Sequence, residues 1–282
     1  MSNITKIIKF YQFEPQPSLV NNGITPISTI QLLNSVFSVD GSYKVNYDKN
    51  QYIIDILNIG SDFVFGKCAK ENELSVINFY QTRDKHTNQT IPYSSVSPDT
   101  QLEVYTFFYI DCTQNRMSAI QHKSLSKLHY ILAQSIWELS GNTLSVFVAP
   151  ERIKNIKQTV KKIKHNKKLA ISFAPNAISK YNIDPLSKEL GGIKYDSFSI
   201  EIKLSSTTSN TEINHIYDNF QNNKEAFNSL KLIGKTDSGF EDTVDFIETL
   251  FTHYTTFEIS EDIIKSYNII KKKLAESLLI KQ

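Results

Sequence analysis

Asp196, Glu201 and Lys203 fall within the eight-residue stretch "DSFSIEIK". Glu201 and Lys203 are two residues apart, so on a strand their side chains share one face. An acid there could hold a divalent cation while the lysine orients a water molecule. That is the chemistry of metal-dependent phosphodiester hydrolysis. The same alternation arises on any half-exposed strand, and Asp196 stands unusually near the pair for an upstream ligand.

This order of residues is similar to the D…ExK metal site of restriction-type nucleases. Arg116 to His122 fits the R-x5-H pattern of helical ribonucleases, but it falls at an expected strand-to-helix junction. The six histidines are scattered without HExxH or other metal-ligand spacing. No GxSxG, GxGxxG or GxxxxGK[ST] motif occurs. Neither metal nor cofactor is expected, and the reading leans away from an enzyme. The aromatic run "YTFFYI" (105–110) could stack on unpaired bases, yet inside a strand it reads first as core.

The densest chemistry is electrostatic. "RIKNIKQTVKKIKHNKK" carries eight basic residues and no acid: Arg152, Lys154, Lys157, Lys161, Lys162, Lys164, Lys167 and Lys168. On a helical wheel Lys154, Lys157, Lys161, Lys164 and Lys168 fall within roughly 80° of one another. Ile153, Ile156, Val160 and Ile163 occupy the adjoining arc, which predicts one helix with a lysine rail beside an isoleucine seam. Such a rail suits a phosphate backbone, bound through counterion release and without base reading. An anionic membrane, an acidic protein, or a merely solvated lysine-rich face are the other readings.

The elements that must carry these residues are legible from periodicity. Strands are expected at 4–13, over "YKVNYD", "QYIIDILNIG", "DFVFGKCA", "LSVINFYQTR", "LEVYTFFYIDC" and "MSAIQH", and again at "TLSVFVAP", "KKLAISFAP" and "SFSIEIKLS". Helices are expected at 25–38 with Pro26 in the first turn, at "SLSKLHYILAQSIWELSG" stopped by Gly141, at "SNTEINHIYDNFQNNKEAF", and at the C-terminus capped by Ser260. Residues 84–100 read as an excursion loop, and "FEDTVDFIETLFTHYTTFEI" leans to strand. The fold class is therefore α+β, mainly antiparallel sheets with flanking helices, in two domains, 1–141 and 142–282.

The chain has 282 residues, a net charge of +2 and 40% hydrophobic content, so an ordinary globular core is expected. Cys68 and Cys112 are far apart and suggest neither disulfide nor zinc site. The first residues lack a signal-peptide succession, and no apolar run approaches the roughly 18 to 20 residues of a membrane span. A cytoplasmic protein is expected.

The passage "DFVFGKCAKEN…LEVYTFFYIDCTQNRMSAI", the helix "LSKLHYILAQSI", the basic segment after Pro150 and "ELGGIKYDSFSIEIKL" together resemble the RexA family of phage-exclusion proteins in order and apolar pattern. "SLKLIGKTDSGFEDTVDF" also resembles the C-terminal pattern of the cytoplasmic component of the Kiwa anti-phage system. The resemblance implies a non-catalytic DNA-binding protein of phage defence, dimeric or higher, paired with a small multi-helix membrane protein. The family's DNA-contacting residues are basic surface positions, and only the stripe matches their density here.

Overall fold

Asp48 (φ 49°) and Lys49 (φ 62°) both adopt left-handed backbone, the two-residue turn that matches the twist of a hairpin. They join β2 (Ser42–Tyr47) to β3 (Asn50–Ile59). The computed structural model describes residues 2–16, 27–71, 80–91, 100–173, 198–236, 241–247, 249–259 and 266–279. Pro26, Asp196 and Ser260 lie outside the described residues. The chain divides into two units, one of 1–150 with 256–281 and the other of 151–255.

In the first unit an antiparallel sheet runs from β1 (Ser2–Gln16) through β8 (Arg116–Ile120), β7 (Thr100–Asp111), β4 (Phe63–Glu71) and β3 to β2. β5 (Tyr80–Asp84) pairs with β7, β6 (Thr90–Ile91) with β5, and β9 (Ser145–Pro150) with β1. The near-continuous apolar runs of β3, β4 and β7 are explained by burial on both sheet faces. On one face Ile54, Ile56, Cys68, Phe108 and Ile110 pack in one core with Leu32 and Leu33 of α1 (Thr29–Val36) and Ile131, Leu132 and Ile136 of α2 (Leu128–Leu139). On the other face lies α5 (Tyr267–Leu278), whose Tyr267 ring meets Phe107 edge-on at 5.6 Å. Ser118 donates to the Leu274 carbonyl at 2.9 Å and Arg116 to that of Leu278 at 2.6 Å.

α1 starts on a reciprocal cap, with Ser28 accepting from the Gln31 amide and the Gln31 side chain accepting from Ser28. Beyond α2, Gly141 takes a φ of +65° and ends the helix as its position predicts. The expected division at Gly141 is corrected. β9 pairs with β1 and stays in the first unit to Pro150, and residues from 256 onward return to that unit, so 142–282 is not one domain.

The second unit holds the antiparallel order β11 (Phe198–Lys203), β10 (His165–Phe173), β12 (Phe227–Lys235), β13 (Glu241–Asp245) and β14 (Leu250–Ile259), whose last residues belong to the first unit. Its helices are α3 (Ile156–Lys162) and α4 (Asn210–Gln221). Of the two caps that the sequence offers, Ser209 and Asn210, α4 begins on Ser209, which forms a reciprocal pair with Glu212. The buried side chains Ile156, Val160, Ile163, Leu169, Ile213, Phe220, Leu230, Leu232 and Val244 form its interior. The protein is α+β. Among the described residues no helix is long and apolar enough to cross a membrane.

Candidate nucleic-acid interface

The basic segment is not one helix. α3 spans seven residues, and His165–Phe173 is strand, so the expected helix over 152–168 is corrected. Each end has an identifiable cause. The Asn155 side chain accepts from the Gln158 amide and starts the helix. At the other end Ile163 turns extended and the Lys164 amide donates to the Lys235 carbonyl at 2.8 Å, which feeds the chain into the β10–β12 ladder. Arg152 sits in an isolated bridge with Leu250, and the Ile153 amide donates to the Thr249 carbonyl at 2.6 Å.

The seam and the rail nevertheless separate. Ile153, Ile156, Val160 and Ile163 are buried, while Arg152, Lys154, Lys157, Lys161 and Lys164 are exposed. Lys162 is half-buried, and burial lowers its ammonium from the ordinary value. Lys167 and Lys168 leave the helix and sit on β10.

Acids from distant parts of the sequence meet part of the rail. Lys157 lies 2.7 and 2.8 Å from the two carboxylate oxygens of Asp218 on α4. Lys167 pairs with Glu241 of β13, and that hydrogen bond is the main reason the Glu241 carboxyl is held below its usual range. Lys168 reaches Glu201 of β11 at 2.7 Å. Among the described residues Arg152, Lys154 and Lys161 have no acidic partner within ion-pair distance. Exposed pairs such as Lys157–Asp218 are worth about 0–1 kcal/mol, so they open readily to a stronger counter-charge.

Glu201 and Lys203 both lie exposed on β11, beside a cleft of about 540 Å³ that Lys167, Lys168 and Glu241 also line. Glu201 is engaged by Lys168, so holding a cation there requires that pair to open. Among the described residues no group of three or more His, Cys, Asp or Glu side chains is placed to hold a metal ion. Arg116 ends on the α5 carbonyl and His122 accepts from the Ser124 amide, so the R-x5-H pair serves local structure.

Sequence reasoning missed a buried ionic cluster in the first unit. Ser42, Asp55 and Lys67 stand in one cross-strand row on β2, β3 and β4. Arg83 of β5 and Glu103 of β7 complete the cluster; Arg83 is 1% and Glu103 0% exposed. Arg83 donates through Nη2 to Asp55 at 2.5 Å and through Nη1 to the Asn88 carbonyl at 2.6 Å. Lys67 makes longer contacts, 3.4 Å to Asp55 and 3.3 Å to Thr90. The cluster floors a cleft of about 590 Å³. Its signal in the sequence was the placing of Asp55 and Lys67 inside otherwise apolar strands. With its two cations matched by two anions, the cluster is a tie between strands.

No protein-family model and no curated protein matches the chain.

Proposed function

We propose that the protein binds nucleic acid with low sequence specificity through the exposed basic surface of Arg152, Lys154, Lys157, Lys161 and Lys164. The observation that carries this reading is the exposure of those five side chains over a buried isoleucine seam. Lysines on an exposed helix would normally be interleaved with glutamates, since like charges at i,i+4 are unfavourable. Here Lys157 and Lys161 stand at that spacing, and Asp218 meets Lys157. Phosphates along a backbone supply the missing counter-charge at repeated intervals. The resemblance to phage-exclusion and Kiwa proteins supports duplex DNA as the polyanion and phage defence as the setting. The same resemblance supports a small multi-helix membrane protein as a partner.

The test is fluorescence anisotropy of a labelled duplex across a salt series. Arg152, Lys154 and Lys161 each releasing a counterion, with Lys157 held by Asp218, give an expected log–log slope of about −3. Reversing Arg152, Lys154 and Lys161 to Glu is expected to abolish most of that slope with the melting transition kept. Unchanged affinity in the triple variant would sink the assignment.

A further inference from the structure

β11 pairs with β10 alone among the described residues. Its side chains alternate, with Phe198, Ile200 and Ile202 on one face and Ser199, Glu201 and Lys203 on the other. Ile200 and Ile202 are 36% and 41% exposed, unusual for an edge strand that is to remain solitary.

Backbone groups of successive residues in an antiparallel strand point to opposite sides. The Leu204 amide donates to the Lys167 carbonyl at 2.8 Å, so Leu204, Ile202 and Ile200 direct their peptide groups at β10. Those of Ser199, Glu201 and Lys203 therefore point to the outer edge. An antiparallel strand whose own outward peptide groups match this alternation can add there.

We propose that this edge takes a second copy of the chain, β11 against β11, about a two-fold axis at Ile202. In that register Glu201 faces Lys203 of the second copy and Lys203 faces its Glu201, with both pairs at hydrogen-bonding positions of the ladder. Ile202 then meets its own symmetry mate, and Ile200 meets Leu204. Centring on Glu201 would set two carboxylates opposite each other, and centring on Lys203 two ammonium groups, both unfavourable. The strand is thus complementary to itself in one register, which selects a second copy over an unrelated peptide as the occupant.

The inference is independent of nucleic-acid binding and is tested without it, by sedimentation equilibrium of the full chain over a wide concentration series at low salt. The wild type is expected to dimerise. Glu201→Lys and Lys203→Glu are each expected to weaken the dimer about tenfold or more, because each converts both attractive pairs into repulsive ones. An equimolar mixture of the two single variants is expected to dimerise again, since each reversed strand then meets its complement, and this also shows that both variants are folded. A monomeric wild type, single variants that dimerise as well as the wild type, or a mixture that stays monomeric would each overturn the proposal.

Discussion

The guanidinium of Arg83 lies against the fully buried carboxylate of Glu103, with Nε 2.9 Å from one oxygen and 3.1 Å from the other. Removing the cation would take the guanidinium from the buried Glu103 carboxylate and leave Asp55 with the Ser42 hydroxyl at 2.6 Å and the longer Lys67 contact at 3.4 Å. Breaking a buried pair in this way costs about 3–5 kcal/mol, whereas an apolar replacement of both partners is often near neutral. Arg83→Met is therefore expected to destabilise by about that amount in urea unfolding, and Arg83→Met with Glu103→Leu to recover part of the loss. Lys67→Met is expected to cost less than Arg83→Met, because Asp55 keeps its 2.5 Å contact to Arg83. An Arg83→Met loss below about 1 kcal/mol would contradict the role given to the cluster.

His129 on α2 stacks on Tyr11, with ring centroids 5.2 Å apart, and its Nδ1 is buried without a hydrogen-bond partner among the described residues. Burial, helped by the charge of Lys9, lowers its pKa from the ordinary 6.5. The folded state thus resists a proton that the unfolded state accepts. Its contribution is present above the unfolded pKa and declines as pH falls through about 6.5 towards the lower folded value. Burial and Lys6 shift His122 in the same direction. Unfolding free energy is expected to drop between about pH 7 and pH 5, and His129→Gln to flatten part of that slope. A slope unchanged in the variant would mean that His129 titrates alike in both states.

How much of this was legible in the sequence depended on the range of the interaction. The burial of Ile156 and Val160 follows from 3.6-residue spacing, and a cap at Ser209 or Asn210 from local residue type. The length of α3 did not follow, because its end is set by Lys164 bonding to Lys235, far along the chain. The acid-free stretch likewise met its counter-charges from Asp218, Glu241 and Glu201, which no window around the stripe contains. The ionic cluster was hidden for the same reason: Asp55, Lys67, Arg83 and Glu103 become neighbours only through strand register.

Gly234 lies on β12 opposite Asn166, where a Cβ would come within 2.3 Å of Ile163 Cγ2 and 2.7 Å of the His165 carbonyl oxygen. The glycine lets the chain leaving α3 cross close to the sheet. Gly234→Ala is expected to destabilise by about 1–3 kcal/mol through overpacking. Adding Ile163→Ala should not restore full stability, since the carbonyl contact is backbone and cannot move away as a side chain can. Thermal melts of the single and double variants check this, and a wild-type melt for Gly234→Ala would refute the close approach.

Asp218 gives the sharpest test of the basic surface, because it opposes the proposed ligand. Its carboxylate holds Lys157, with both side chains about half exposed. A phosphate that takes Lys157 must displace that carboxylate and stay near its negative charge. Asp218→Asn removes both obstacles and leaves α4 intact, since the residue lies in the helix body away from the Ser209–Glu212 cap. The variant is expected to bind duplex DNA about two- to tenfold more tightly at low salt, in line with one freed cation. Its log–log salt slope should steepen by about one, the share of a single added phosphate contact. Asp245→Asn, which frees Lys231 elsewhere on the second unit, is the control and should leave both quantities unchanged. Equal gains from the two variants would mean that net charge, rather than the row from Arg152 to Lys164, governs binding.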